Sequence, residues 1–166
     1  MSKRSILIAL GAATLIAAWY LFRPERLWLD SVVAESLEDV GATPASGSRG
    51  GGPIAVLQGS FRGVHHAGAG TATVYRLGDG TRVLRFTGFA TENGPDLYVY
   101  MVASTDAPDN ETVERAGFVS LGRLKGNKGD QNYALPPEVD LSRHRAVSIW
   151  CRRFGVNFAV ATLGDA

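Results

Sequence analysis

Residues 5–22 run SILIALGAATLIAAWYLF without a single charge, and no other stretch limits so strongly what the chain can become. As a helix such a run rises about 27 Å, close to the roughly 30 Å hydrocarbon core of a bilayer. Lys3 and Arg4 precede it and Arg23 and Arg26 follow. Trp19 and Tyr20 stand near one end, where amphipathic rings favour the membrane interface. The expectation is an uncleaved transmembrane signal anchor over residues 1–23, with a cleaved signal peptide and a buried core helix as the alternatives. No A-x-A site precedes Trp19, and the run exceeds the usual apolar region of a signal peptide, which favours the anchor. Lys3, Arg4 and the terminal amine outweigh Arg23 and Arg26 offset by Glu25, so the positive-inside rule keeps the N-terminus inside. A single-pass protein with a periplasmic or extracellular C-terminal domain follows.

Between residues 24 and 40, Leu29, Val32, Val33, Leu37 and Val40 recur at helical spacing, with Glu35, Glu38 and Asp39 elsewhere around the wheel. Pro24 suits a first helical turn, and Gly41 then Pro44 stop the helix, which predicts a short juxtamembrane helix. Residues 41–53, GATPASGSRGGGP, offer almost nothing to bury and read as a flexible linker with an r.m.s. reach of roughly 20 Å.

Residues 54–166 read as all-β. GTATVYR (70–76) and TRVLRF (81–86) are rich in β-branched and aromatic residues, and Gly78-Asp79-Gly80 supplies a hairpin turn between them. LYVYMV (97–102) is apolar throughout and reads as a central strand. AVSIWCR (146–152) and VNFAVATL (156–163) make a second pair across Arg153-Phe154-Gly155. No segment after Pro53 sustains a 3.6-residue period. The expected fold is an antiparallel β-sandwich, with a small β-barrel as the alternative.

Charge and cysteine usage narrow the chemistry. Residues 1–52 hold 5 basic and 5 acidic side chains and residues 53–166 hold 12 and 11, so neither part carries the basic excess of a nucleic-acid binder. One cysteine permits no intrachain disulfide, no four-cysteine zinc module and no C-x-x-C redox motif. Gly59-Ser60-Phe61-Arg62-Gly63 is not G-x-S-x-G, and the carboxylates are scattered singly, so hydrolase chemistry lacks support. Residues 124–130, LKGNKGD, lack the P-loop spacing and predict a structured loop. Asp96, after Gly94-Pro95, suits a turn in which its carboxylate takes backbone N–H groups. His144, between Arg143 and Arg145, is expected in solvent, and Met101 in the core. Asn110-Glu111-Thr112 matches the glycosylation sequon, a pattern too short to carry a function by itself.

GSFRGVHHAGAGTATVY, VLRFTGFATENGPDLYVYM, LGRLKGNKGDQNYALP and AVSIWCRRFGVNFAVATL, in that order, resemble the DM-thirteen domain family over about residues 54–164. The resemblance implies an exported or membrane-anchored β-sandwich module of a kind often found beside DOMON domains. It also implies electron transfer through the cysteine of the late strand, as a bare thiol or as a ligand to a haem-like group; that cysteine is Cys151.

From the residues themselves, Val147, Ile149 and Cys151 share one strand face and Ser148, Trp150 and Arg152 the other. That makes Cys151 either a small buried hydrophobe or a redox thiol. An unpaired thiol in an oxidising compartment, with Arg152 and Arg153 able to activate it from nearby, favours the redox role. His65 and His66 are adjacent, so on extended backbone they face opposite ways and at most one serves as a ligand. Without a C-x-x-C-H site any haem is non-covalent, held by Cys151 with a histidine or with Met101. Two readings stand: a membrane-anchored redox module with a partner redox protein, and a non-catalytic extracytoplasmic binding or assembly module in which Cys151 is structural.

Overall fold

The computed structural model describes residues 2–22, 29–40 and 52–166. Helix α1, Lys3–Phe22, takes the segment expected to be the anchor. Among the described residues no helix is long and apolar enough to cross a membrane.

The helix expected over 24–40 is not present in its described part, residues 29–40. Val32–Ala34 form strand β1 and Glu38–Val40 a single 3-10 turn. Three of the apolar positions that suggested a helix serve elsewhere. Val33 lies along a sheet edge, while Leu37 and Val40 cover a small buried cluster of Leu77 and Val83. A twelve-residue stretch with two adjacent valines satisfies either period, and the available edge of a neighbouring strand decided between them.

After residue 52 the chain is all-β: β2 Ile54–Gly63, β3 Gly68–Arg76, β4 Arg82–Thr91, β5 Leu97–Val102, β6 Phe118–Arg123, β7 Lys128–Leu135, β8 Ala146–Cys151, β9 Val156–Thr162 and β10 Gly164–Asp165. They form one curled sheet, a half-barrel, in the order β1-β7-β4-β3-β2-β9-β8-β5-β6, with β10 also on β2. All its strand pairs are antiparallel except β1 on β7. Strand β2 joins the two halves: Ile54 to Ser60 pair with β3, and Phe61 to Gly63 pair with β9. The halves face one another across the core in the manner of a sandwich.

Alternation places Val74, Leu84 and Phe86 from one half against Val99, Met101, Val147 and Ile149 from the other, all without solvent exposure. Strand β4 carries a register shift between Phe86 and Phe89, and Gly88 there has φ +57°. The bulge turns both phenyl rings inward and prolongs the strand beyond residue 86, where the sequence pattern ended. Phe61 meets the two rings edge-on, with centroids 4.8 and 4.9 Å away, contacts worth about 0.5–1.5 kcal/mol each beyond the area they bury.

A second buried cluster lies on the outer face of β8 and β9, under helix α2, Asn110–Ala116. Asp109 caps α2 by accepting a 2.7 Å hydrogen bond from the Thr112 N–H, and Val113 drops onto Tyr100, Trp150 and Val160. Beneath the helix Asn157, fully buried, accepts from Ser148 Oγ at 2.8 Å and donates to the Ala107 carbonyl at 2.9 Å. Seven residues are too few to show a period, which is why α2 is not legible in the sequence.

Candidate functional site

Cys151 is the last residue of β8, paired with Leu97 of β5 on one side and Val156 of β9 on the other. Its face is the one alternation assigned: it shares the core cluster with Val147 and Ile149, and its exposure is 0%. Immediately beyond it the chain turns, with the Phe154 and Gly155 N–H groups donating to the Cys151 carbonyl at 3.3 and 2.9 Å. Gly155, at φ +61°, makes that turn possible.

Of the two arginines expected near the thiol, Arg152 lies elsewhere. The Arg152 guanidinium lies 4.5 Å from the centre of the Tyr98 ring, on the outer face of the sheet. Arg123 approaches the same ring at 5.5 Å. Successive residues of a strand point to opposite faces, so a charge next to Cys151 in sequence ends on the far side of the sheet.

His65 and His66 lie in the bend that follows β2, not on extended strand. His65 is exposed, and its backbone N–H donates to the Asn157 carbonyl. His66 stacks on Phe158 with centroids 3.7 Å apart, and its Nδ1 lies 2.8 Å from Glu92 Oε2. The hydrogen bond from His66 holds the Glu92 carboxyl below its ordinary value, helped by the Ala67 N–H. Phe158 belongs to the buried cluster that contains Cys151, but among the described residues no hydrogen bond joins the thiol to either histidine. Met101 is in the core with no exposure. It pairs with Val147, four residues from Cys151, so it stands about 13 Å away along the strand.

Two expectations are corrected. His144 is only 9% exposed, with Nδ1 2.9 Å from the Asp140 carbonyl, because the 140–144 turn folds the ring inward between its two arginines. The Asp96 carboxylate meets the Arg123 guanidinium at 2.8 Å instead of taking backbone N–H groups, while its carbonyl accepts from the Arg152 N–H at 3.0 Å.

A cleft of about 520 Å³ opens beside the start of β5, walled by Leu29 and Asp30, Asn93 and Gly94, Leu97, and Arg123 with Lys125. It reaches Leu97, whose backbone pairs with Cys151, but neither the thiol nor His65 nor His66 lines it. Among the described residues no three His, Cys, Asp or Glu side chains converge on a point that could hold a metal ion. A haem iron needs its ligand atoms a few ångströms apart and open to the ring. Cys151 is enclosed by aliphatic side chains, and His65, His66 and Met101 do not converge on it, so these residues do not fit a haem.

Residues 124–130, expected as a structured loop, are loop only up to Asn127; from Lys128 they are β7, and together they hold the N-terminal strand in place. Asn127 Oδ1 accepts from the Ser31 N–H at 2.7 Å, and Lys125 Nζ donates to Glu35 Oε1 at 2.7 Å. Nothing in the sequence pairs these segments; parallel strands far apart in the chain leave no local signal.

No curated protein and no solved structure shows significant similarity to the chain. Residues 60–163 match the family described as electron transfer DM13, a span that takes in the end of β2 from Ser60, all of β3 to β9, and Cys151, His65 and His66. The chain belongs to the electron transfer DM13 family.

Proposed function

We propose that the protein is an extracytoplasmic electron-transfer module, held to the membrane by residues 3–22, in which Cys151 works as a bare thiol and not as a haem ligand. The observation that carries this reading is the place of Cys151: inside the span matched to the electron transfer family, on the last residue of a strand, with only the 152–155 turn beyond it. A lone thiol can exchange only with a sulfur supplied by a partner, its thiolate attacking the partner's disulfide and releasing the partner's thiolate. The buried side chain must first be uncovered, and a strand end next to a short turn opens at lower cost than a strand centre.

The second reading, a binding or assembly module with a structural Cys151, is favoured by the complete burial of the residue. Trapping separates the two. Full-length protein in native membranes is quenched with a thiol-blocking reagent and run on a non-reducing gel, beside Cys151→Ser. A higher-mass species that disappears on reduction and in the serine variant supports thiol exchange. A thiol that forms no adduct and resists alkylation until denatured overturns it in favour of the structural reading.

A further inference from the structure

We propose that the edge of β7, with residues 125–127 leading into it, is a peptide-binding site for an extended acidic segment, and that residues 30–36 are its built-in, exchangeable ligand. This inference is independent of any redox role for Cys151. Strand β1 adds to β7 in parallel, Val32 beside Lys128, Val33 beside Gly129 and Ala34 beside Asp130. The Lys128 N–H donates to the Ser31 carbonyl at 3.3 Å and the Glu35 N–H to the Asp130 carbonyl at 3.0 Å. Such strand addition supplies affinity through the backbone, and side-chain sites at either end supply selectivity.

Both ends are present. At the first, Asn127 Nδ2 donates to Asp30 Oδ1 at 2.7 Å and Lys128 pairs with the same carboxylate. At the second, Glu35 takes the Lys125 ammonium at 2.7 Å and the Asn132 N–H at 2.8 Å, while Arg85 Nη1 donates to the Glu35 carbonyl at 3.0 Å. Asn132 Nδ2 reaches the Ser36 carbonyl at 2.6 Å. The ligand class is therefore an extended segment with carboxylates five residues apart, Asp-x-x-x-x-Glu.

The receiving surface is shaped for a backbone. A Cβ on Gly126 would lie 2.3 Å from the Ser31 carbonyl oxygen and one on Gly129, at φ +96°, 1.9 Å from that of Val33. Asn127 and Asn132 are 4% and 2% exposed with the strand in place, and each gives up a hydrogen bond to it when it leaves. The receiving residues lie inside the family match over 60–163, whereas the strand they receive lies outside it. The strand itself holds no buried residue, and Val32 is 69% exposed. Hydrogen bonds and ion pairs hold residues 30–36, and the nearest apolar anchorage is Leu37 and Val40 on the Leu77–Val83 cluster, outside the main core, so the strand can be released by local opening while that core stays closed.

The test uses the full-length chain in detergent. Asp30→Lys with Glu35→Lys sets the strand against Lys128 and Lys125 and should eject it. A fluorescent peptide of residues 29–40 should then bind the charge-reversed chain at least tenfold more tightly than the wild type, whose site is occupied, and Asn127→Ala with Asn132→Ala should abolish that binding. Failure of the peptide to bind a charge-reversed chain that still unfolds cooperatively overturns the proposal, as does equal binding to the wild type. Hydrogen exchange on the unaltered chain decides the matter if the variants do not fold. The Glu35 and Lys128 amides should exchange at least 100-fold faster than those of β8, and exchange of both sets at one common rate overturns the proposal.

Discussion

Replacing Cys151 by serine and, separately, by alanine measures how closed its surroundings are. Serine keeps nearly the volume of the side chain but places a hydroxyl among Val147, Ile149 and Leu97, where no side-chain acceptor is hydrogen-bonded to the residue now present. An unpartnered buried hydroxyl costs about 1–3 kcal/mol. Alanine introduces no polar group. It forfeits the burial of one methylene-sized atom, about 0.8 kcal/mol, plus a small residual cavity, for a total of about 1–1.5 kcal/mol. For a domain of roughly 100 residues each kcal/mol moves the melting temperature by about 4 °C or more, so serine should lower it by about 4–12 °C and alanine by about 4–6 °C. Circular-dichroism melts of the two variants, with alkylation of the wild-type thiol timed in buffer and in guanidinium, read out both quantities. Serine at least as damaging as alanine is the expected order. A serine variant as stable as the wild type, or a native thiol alkylated as fast as a free one, would refute the enclosed site.

Fusion of alkaline phosphatase after Ala166 should be active in a bacterial host if residues 3–22 anchor the chain with its domain outside, and bright cytoplasmic fluorescence of a fluorescent-protein fusion would sink that topology. A fragment beginning at residue 29 should unfold at higher temperature than one beginning at residue 53, because only the longer one keeps the partners of Asn127 and Asn132; equal melting points would show that the N-terminal strand contributes nothing. Acid should loosen that strand. Hydrogen bonds from Lys128 and then Asn127 hold the Asp30 carboxyl below its ordinary value, and at Glu35 burial pushes upward but the Lys125 and Asn132 hydrogen bonds outweigh it. Folded values below the unfolded ones mean that this stabilisation is complete above the unfolded pKa, about 4, and is lost as pH falls through the folded values. Exchange of the Glu35 amide should therefore accelerate relative to β8 below about pH 4, and an unchanged ratio would contradict the assignment. Asn157→Leu should cost about 2–3 kcal/mol in a denaturant titration, since it strips the Ser148 hydroxyl and the Ala107 carbonyl of their buried partner, and a midpoint shift within error would count against that network.

What could be read from the residues was local. Strand β5 falls at residues 97–102 as the uninterrupted apolar run indicates, and β8 and β9 agree with their β-branched patterns to within a residue. The alternation that placed Cys151 with Val147 and Ile149 holds because neighbouring Cβ atoms of a strand must point to opposite faces, whatever else the chain does. Strands β6 and β7 were harder to see. FVSLGR and KGDQNYAL mix polar and apolar residues, and four of the eight positions in β7 are buried, two of them Gln131 and Asn132, whose amide groups find partners only in the assembled fold.

The amino-acid sequence by itself determined an all-β domain after residue 52, the family to which it belongs, and the inward face of Cys151, since composition, period and motif act within a few residues. Only the tertiary structure decided that residues 29–40 are a strand and a turn, that Arg152 stacks on Tyr98 away from the thiol, and that LKGNKGD receives a segment some 90 positions earlier. Each of these depends on which distant surface offers free hydrogen bonds or an open ring face, and a one-dimensional pattern carries no record of that. Residues 41–51, nearly all of the segment expected as a linker, lie outside the described residues. Residues 29–40 have the valines for a strand and the spacing for a helix; the unpaired edge of β7, with Gly126 and Gly129 leaving room for a backbone, is what turns them into a strand.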